Sequence, residues 1–275
     1  MRMILVVVFS LGFILLIRSQ ELSVYDQIKN HQQGTALWWV GHNGWIIKSN
    51  GLVIATDMLL DYPERINPPK ITTDELSEIL DISFVTHAHN DHFNRTVTKA
   101  LVEKSNCLFV IPESCVEIAH ELNIPEDRLQ IAKPREPFHI KGISVTPLRA
   151  IHGNANFAIY YEANLQDCGY LLDVDGHTFL QPGDSYLLED HLFLEDVDVL
   201  FFSPTEHNMY IDRSVILINT LNPDYIFPQH HSTIVVDERS RFWAKGYPDE
   251  VKLRLSDALK AKYHIMKQGQ KMLIR

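Results

Sequence analysis

The feature that most constrains this chain is a group of metal-competent side chains packed into six consecutive positions. From residue 86 the sequence reads Thr-His-Ala-His-Asn-Asp-His, directly after an apolar segment. Because side chains alternate in an extended segment, we expect His87, His89 and Asp91 to point one way and His92 the other. Imidazole and carboxylate ligands suit zinc and tolerate manganese or iron. The spacing favours a metal site, for one ion or two adjacent ions, over a solvated histidine-rich loop.

Three later residues complete a candidate ligand set, because each follows an apolar run that predicts a strand. His152 follows residues 144–148, Asp184 follows residues 178–181, and His230 follows residues 225–229. Each alone is as compatible with an ordinary polar residue at a strand end. Their ordered recurrence favours one site, since strand ends can deliver side chains to one edge of a sheet.

Short apolar runs separated by turn residues predict hairpin-rich β structure first, followed by alternating strands and helices. The Asn50-Gly51 pair suits a tight hairpin. Two sheets with helices outside would bury these faces, although the pattern alone does not choose that arrangement over other mixed folds. Strands are predicted over residues 37–40, 45–48, 52–56, 82–86, 108–111, 138–140, 143–148, 157–162, 169–174, 177–181, 197–202, 225–228 and 271–274, and helices over 94–104, 112–122, 211–221 and 249–261.

The N-terminal segment carries its own prediction. Its apolar run, Ile4 to Ile17, is shorter than the roughly 20 residues that span a bilayer. With a charged start and a small residue at Ser19, it resembles a secretory signal peptide over residues 1–19. An uncleaved membrane anchor and a buried helix are the alternatives. We therefore expect an exported protein, periplasmic or secreted or anchored to the membrane, with a single domain over residues 20–275.

Composition restricts the partners. The formal net charge of −10 repels phosphate backbones, so a nucleic-acid partner is disfavoured and a small-molecule or lipid-like substrate is expected. Membrane contact is expected only through an uncleaved N-terminal segment.

Three cysteines (Cys107, Cys115 and Cys168) are too few for a disulfide scaffold and lack zinc-site spacing.

The His-x-His-x-Asp-His motif and the later His, Asp and His resemble the metallo-β-lactamase hydrolase superfamily from about residue 37 to residue 230. This resemblance implies an α/β fold: an αββα four-layer sandwich of two mixed β-sheets flanked by helices, with two metals at one sheet edge. Carried over by position, it implies a first metal held by His87, His89 and His152, a second held by Asp91, His92 and His230, and Asp184 bridging both.

Flanking residues narrow the resemblance to one branch. An aspartate at 184, where true β-lactamases carry cysteine, disfavours antibiotic hydrolysis, and the surroundings of His152 lack the Pro-Gly-His-Thr of glyoxalase II. The pairs Gly41-His42 and Thr56-Asp57, with Pro228-Gln229-His230, resemble the branch with ascorbate-6-phosphate lactonase and N-acyl-phosphatidylethanolamine phospholipase D.

Four further residues are candidates around the metals. Asp57 is predicted to orient a ligand histidine through a hydrogen bond, against the alternative of an ordinary turn aspartate. His42, His207 and His231 are candidates for lining the pocket, and His207 also for contacting substrate or donating a proton. Each of the three is also compatible with a structural role.

These residues predict a binuclear metal-dependent hydrolase in which a metal-bridging hydroxide attacks a lactone, ester or phosphodiester. Two divalent ions are expected, zinc first, with manganese or iron as alternatives. Asp91 and Asp184 are the predicted catalytic residues, with Asp91 orienting the water. A nuclease of the same fold and a non-catalytic metal-dependent binding protein are the competing hypotheses. Ligands from four separate segments favour an open catalytic site over a closed structural one.

Overall fold

The computed structural model describes residues 22–153 and 164–275. These residues form two mixed β-sheets packed face to face, with helices on both outer faces, so the predicted αββα fold class is confirmed. The predicted strand over residues 157–162 and the predicted N-terminal segment over residues 1–19 lie outside the described residues. Among the described residues, none of the helices has the length and apolar character needed to cross a bilayer.

The strands, in chain order, are β1 (Thr35–Gly41), β2 (Gly44–Ser49), β3 (Leu52–Thr56), β4 (Ile82–Phe84), β5 (Leu108–Pro112), β6 (Leu129–Ala132), β7 (Phe138–Ile140), β8 (Ile143–Arg149), β9 (Cys168–Val174), β10 (His177–Gln181), β11 (Val199–Phe202), β12 (Tyr225–Pro228) and β13 (Lys271–Ile274). The helices are α1 (Val24–Asn30), α2 (Thr73–Ser77), α3 (Arg95–Lys104), α4 (Val116–Glu121), α5 (Glu189–Leu192), α6 (Tyr210–Leu221), α7 (Arg241–Ala244), α8 (Pro248–Leu253) and α9 (Asp257–Ala261).

Strand direction brings the ends of distant strands to a common edge. The first sheet has the order β13-β1-β2-β3-β4-β5-β6 and the second β12-β11-β10-β9-β8-β7. In the first sheet β3 and β4 are parallel, and β1 runs with them because two antiparallel pairings separate β1 from β3. In the second sheet β10, β11 and β12 are parallel, and β8 runs with them for the same reason. Loops that leave these strands therefore emerge at the same end of each sheet.

The core between the sheets is built from large apolar side chains of both inner faces. Trp45 of β2 stacks on Phe201 of β11 with ring centroids 4.4 Å apart, and Phe84 meets Tyr170 edge to face at 5.1 Å. Each fully buried side chain of this size contributes roughly 1.5–3 kcal/mol by leaving water. The three cysteines are also buried and unpaired with one another. This packing fixes the two sheets, and so the loops at their shared edge.

Two helices predicted as continuous are broken. The predicted helix over residues 112–122 begins instead as a 3₁₀ turn, Glu113–Cys115, before α4. The predicted helix over residues 249–261 is divided into α8 and α9, because Ser256 caps a new helix by accepting a hydrogen bond from the Leu259 amide. The predicted helix after Asn94 is confirmed, with the Asn94 side chain accepting from the Val97 amide.

Candidate metal centre

The histidine-rich segment is a tight turn that starts where β4 ends. Asp57, directly after β3, accepts hydrogen bonds from the Thr86 amide (2.9 Å) and the Thr86 hydroxyl (2.8 Å), which takes Thr86 out of the sheet. The amides of His92 and Phe93 then both donate to the His89 carbonyl, at 3.0 and 2.7 Å. The chain is therefore not extended here, and the prediction that His87, His89 and Asp91 share one direction is wrong.

The turn instead divides these side chains between two groups of potential ligands. In the first group, the ligand atoms of His87, His89 and His152 lie within 4.8 Å of one another. The Nε2 atom of His87 is 3.0 Å from Nδ1 of His89, and the His89 and His152 rings are 4.6 Å apart. His89 is the solvent-exposed member of this group.

The second group contains the next two residues of the motif together with two histidines from other loops. The ligand atoms of His42, Asp91, His92 and His230 also lie within 4.8 Å of one another. Oδ2 of Asp91 is 3.0 Å from Nε2 of His42, 3.7 Å from that of His92 and 3.9 Å from that of His230. His42 leaves the end of β1, and His230 leaves the end of β12.

Asp184 lies between the two groups. Its Oδ1 is 3.5 Å from Nε2 of His92, and its Oδ2 is 3.2 Å from Nε2 of His230 and 3.4 Å from that of His152. The preceding Gly183 has φ +64°, and a Cβ there would come within 2.7 Å of the Thr86 Cβ. A side chain at position 183 would therefore displace the loop that carries Asp184.

His207, from the loop after β11, also reaches Asp184. Its Nε2 is 2.7 Å from Oδ2 of Asp184, and its Nδ1 lies 3.2 Å from the carbonyl of Phe242. Nδ1 also lies 3.0 Å from the Thr205 hydroxyl, which can donate to it or accept from it. The ring can therefore present either an Nε2 proton or an Nε2 lone pair to the Asp184 carboxylate.

Hydrogen bonds at the outer nitrogens orient the ligand histidines. Nδ1 of His92 donates to Asp57 (2.9 Å) and Nδ1 of His152 donates to the Gly153 carbonyl (2.6 Å). The Thr86 hydroxyl gives its hydrogen to Asp57, so its oxygen accepts from Nδ1 of His87 at 3.1 Å. In all three rings the Nε2 lone pair is left for the cluster, which is the tautomer that a metal ligand needs.

The charges of the site favour a cation at its centre. Burial alone would raise the pKa of Asp91 and Asp184, but nearby imidazoles, chiefly His92 for Asp91 and His230 for Asp184, hold both pKa values well below the usual range. Burial lowers the pKa of His207 and His230 to about 4. Although burial also opposes charge on His92, the carboxylates around it raise its pKa well above the ordinary value. Divalent metals bind ionised carboxylates and neutral imidazoles, so an ion at the centre would displace the proton that the raised pKa favours on His92.

Unsatisfied polar atoms provide the test of whether metal ions fit. Among the described residues, the buried side-chain atoms without a hydrogen-bond partner include Nε2 of His92 and both ring nitrogens of His230. An unpaired buried polar atom costs about 1–3 kcal/mol. Metal ligation would satisfy the two Nε2 atoms, which face the carboxylates of Asp91 and Asp184. The donor set is therefore suited to divalent metals.

The structure thus brings all seven predicted metal ligands together, with Asp57, His42 and His207 beside them. It does not bring His231 into the cluster. The His231 ring stacks on Trp39 with centroids 4.7 Å apart, and its Nε2 lies 3.2 Å from the Pro228 carbonyl.

Sequence reasoning missed Asn43, whose amide donates to Oδ1 of Asp184 at 3.2 Å. Its position beside His42 was the available signal.

Comparison with known proteins agrees with this geometry. Residues 36–230, more than half of the chain, match the family model described as the beta-lactamase superfamily domain. The chain belongs to this family. Membership confirms the resemblance to the metallo-β-lactamase hydrolase superfamily that the ligand motif predicted.

Relatives within this superfamily are distant but cover most of the chain. A UPF0173 metal-dependent hydrolase of Carboxydothermus hydrogenoformans is 27% identical over 76% of this chain and 90% of its own length. A probable L-ascorbate-6-phosphate lactonase UlaG of Salmonella heidelberg is 22% identical over 71% of this chain and 69% of its own. The similarity to this lactonase agrees with the branch predicted from the residues around His42, Asp57 and His230.

Solved structures share the fold of this beta-lactamase superfamily chain. Igni18, a metallo hydrolase from Ignicoccus hospitalis, superposes with a TM-score of 0.68 at 19% identity, covering 88% of this chain and 98% of its own. An isothiocyanate hydrolase from Delia radicum gut bacteria superposes with a TM-score of 0.67 at 15% identity, covering 87% and 99%.

Proposed function

We propose that this chain is a binuclear metal-dependent hydrolase that opens a small lactone or ester. The observation that carries the proposal is the convergence of the predicted ligands into two groups of donors with Asp184 between them. Such an arrangement of imidazoles and carboxylates is typical of two-metal hydrolytic sites. Zinc is the first candidate, because histidine and aspartate ligands suit it.

Each group of donors would hold one ion, and Asp184 would contact both. Bound there, divalent ions would polarise the substrate's carbonyl or phosphoryl oxygen and lower the pKa of water towards neutrality. The hydrogen bonds from His87, His92 and His152 to Thr86, Asp57 and Gly153 would hold the rings in the required orientation.

Asp91 is the residue of this chain best suited to orient the attacking water. Its side chain keeps 16% of its surface exposed, whereas the side chain of Asp184 keeps only 2%. Because its pKa lies well below the usual range, Asp91 is ionised at neutral pH and can accept a hydrogen bond from water. Asp184, enclosed by His207, His230 and Asn43, is suited to holding ions rather than to exchanging protons with solvent.

Two observations support a small ester or lactone as substrate. The net charge of −10 disfavours polyanionic nucleic acid. The similar protein from Salmonella heidelberg is named as a probable lactonase. A phosphodiester is the competing substrate class, since two-metal sites also suit phosphoryl displacement.

The test is a hydrolysis panel of lactones, carboxylic esters and phosphodiesters with zinc-loaded, chelator-stripped and reloaded protein. We expect turnover of a lactone or ester that the chelator abolishes and zinc restores. Turnover confined to phosphodiesters would overturn the substrate assignment. Two bound ions with no turnover of any class would favour the metal-dependent binding protein.

A further inference from the structure

We propose that the two ions are held unequally, and that His42 is the residue responsible. In this proposal His42 joins Asp91, His92 and His230 as a fourth protein ligand and closes the second site. The first site, with His87, His89 and His152, has one protein donor fewer and remains open to water and substrate. The proposal rests on metal binding by the cluster and is independent of the substrate class.

The distances from Asp91 to the three histidines of the second group are close to the spacing between neighbouring zinc ligands. With zinc–ligand bonds of 2.0–2.1 Å, neighbouring ligand atoms of a tetrahedron are about 3.3 Å apart. The three distances from Oδ2 of Asp91 to the Nε2 atoms of His42, His92 and His230 are 3.0, 3.7 and 3.9 Å, which bracket that value. His42 is the nearest of the three histidines to Asp91. All four ligand atoms lie within 4.8 Å of one another, so the chain holds four donors around one candidate ion position.

The backbone of His42 is fixed in an unusual conformation that aims its ring at Asp91. Its φ of +55° is uncommon for a residue with a side chain. Three buried hydrogen bonds hold it there: the His42 amide donates to Thr233 Oγ1 (2.7 Å), and its carbonyl accepts from Trp39 Nε1 (3.0 Å) and the His230 amide (3.0 Å). Strained backbone that is held by several contacts is concentrated at functional sites.

The bond from the His230 amide also couples the two loops that supply histidines to this site. The rings of His42 and His230 lie with centroids 3.7 Å apart, and both side chains are almost completely buried. A shift of His42 would therefore also shift His230.

Solvent exposure of the donors also indicates that the first site is the more open of the two. In the second group three of the four donors are buried and Asp91 is partly exposed, whereas the first group includes the exposed His89. Asp184 lies beside both groups and adds one donor to each, so it does not remove the difference of one donor. The site with fewer protein donors is the one with room for water or substrate, because catalytic metal sites keep an open coordination position. The ion beside His89 is accordingly the one expected to exchange.

The alternative is that His42 only donates a hydrogen bond to Asp91. The variant His42→Gln separates the two roles, because its amide retains a donor that can reach Asp91 but is a poor zinc ligand. His89→Gln is the matching variant for the open site. His231→Gln is the control, since His231 is a buried histidine of the neighbouring loop that stacks on Trp39 outside the cluster.

The experiment loads the full chain with zinc, exposes it to a chelator, and counts the remaining ions by elemental analysis over time, with circular dichroism and thermal melting to confirm folding. We expect wild type and His231→Gln to lose one ion quickly and retain the other. His89→Gln should keep the retained ion, and His42→Gln should release it at least about tenfold faster.

Simultaneous loss of both ions from wild type, or retention of the slow ion by His42→Gln, would overturn the proposal. If His42→Gln does not fold, cobalt substitution of wild type decides the question. The visible absorption of cobalt with four or five ligands is expected for the ion that resists the chelator, and the much weaker spectrum of six-coordinate cobalt for that ion would contradict the closed site. Failure of the hydrolysis panel would leave these metal measurements unaffected.

Discussion

At the scale of single residues, the site depends on side chains that orient the potential metal ligands through hydrogen bonds. Asp57 accepts from the amide and hydroxyl of Thr86 and from Nδ1 of His92, all within 2.9 Å. It therefore ends β4, releases the Thr86 oxygen to orient His87, and fixes the tautomer of His92. One buried carboxylate positions ligands from both donor groups. Hydrogen-bond partners of this kind commonly alter metal affinity 10–100-fold.

Asp57→Asn should weaken metal binding without removing a ligand. The asparagine has only one accepting oxygen, so its NH₂ group faces either the Thr86 amide or both the Thr86 hydroxyl and Nδ1 of His92. We expect zinc affinity to fall by about 10–100-fold, measured by titration against a competing chelator. Asp61→Asn, in the same loop but exposed, is the control and should bind zinc as wild type does. Wild-type affinity in Asp57→Asn would show that this contact does not support the metal site.

At the scale of elements, the predictable part of the site is the part encoded by strand ends. His152, Asp184 and His230 each follow an apolar run closely, so their arrival at a common edge could be predicted before any contact was known. The division of the donors into two groups could not be predicted. The turn after Val85 is set by the contacts of Asp57 with Thr86 and not by the alternation of side chains along a strand.

The role of His42 was also beyond the sequence pattern. Its turn joins two strands of the first sheet, whereas the His230 loop leaves the second sheet, so their contact depends on how the sheets pack. A buried amide pair contributes to that edge: Gln181 and Gln229 donate to each other at 3.0 and 2.6 Å, and Trp45 donates to Gln229 at 2.9 Å. Sequence spacing contains no information about a contact between the sheets such as the one from Trp45 to Gln229.

The ion pairs of Asp190, in α5, predict a pH-dependent contribution to the stability of the fold. The Asp190 carboxylate, 5% exposed, accepts from Arg149 (2.7 Å) and Arg135 (2.5 Å), and the hydrogen bonds from Arg149 hold its pKa below the usual range. At pH 7 we expect Asp190→Asn to lower the free energy of unfolding by about 1–3 kcal/mol. Glu189→Gln, whose more exposed side chain also contacts Arg149, should lower the free energy of unfolding less than Asp190→Asn does.

The sign of the pH effect follows from the lowered pKa. A carboxylate whose folded pKa lies below its unfolded value of about 3.9 stabilises the fold above that pH, and the contribution disappears as the pH falls towards the folded pKa. The difference between wild type and Asp190→Asn should therefore shrink in urea unfolding below about pH 4. A difference that stays constant from pH 7 to pH 3 would contradict this assignment.

At the scale of the whole molecule, two sheets with opposed inner faces act as a rigid frame for loops that contain the chemistry. Sheet packing brings β1 and β4 of one sheet opposite β8, β10, β11 and β12 of the other, so their loops meet at one edge. This explains how residues as far apart as His42 and His230 share one buried cluster. The central claim is that this cluster binds metal and that hydrolysis depends on it.

The most direct test measures metal content and turnover in the same samples of wild type and Asp184→Ala. Because Asp184 lies between both donor groups, we predict about two ions per chain and measurable hydrolysis for wild type, and a lower metal content together with the loss of hydrolysis in the variant. Hydrolysis by Asp184→Ala with the metal content of wild type would contradict the account.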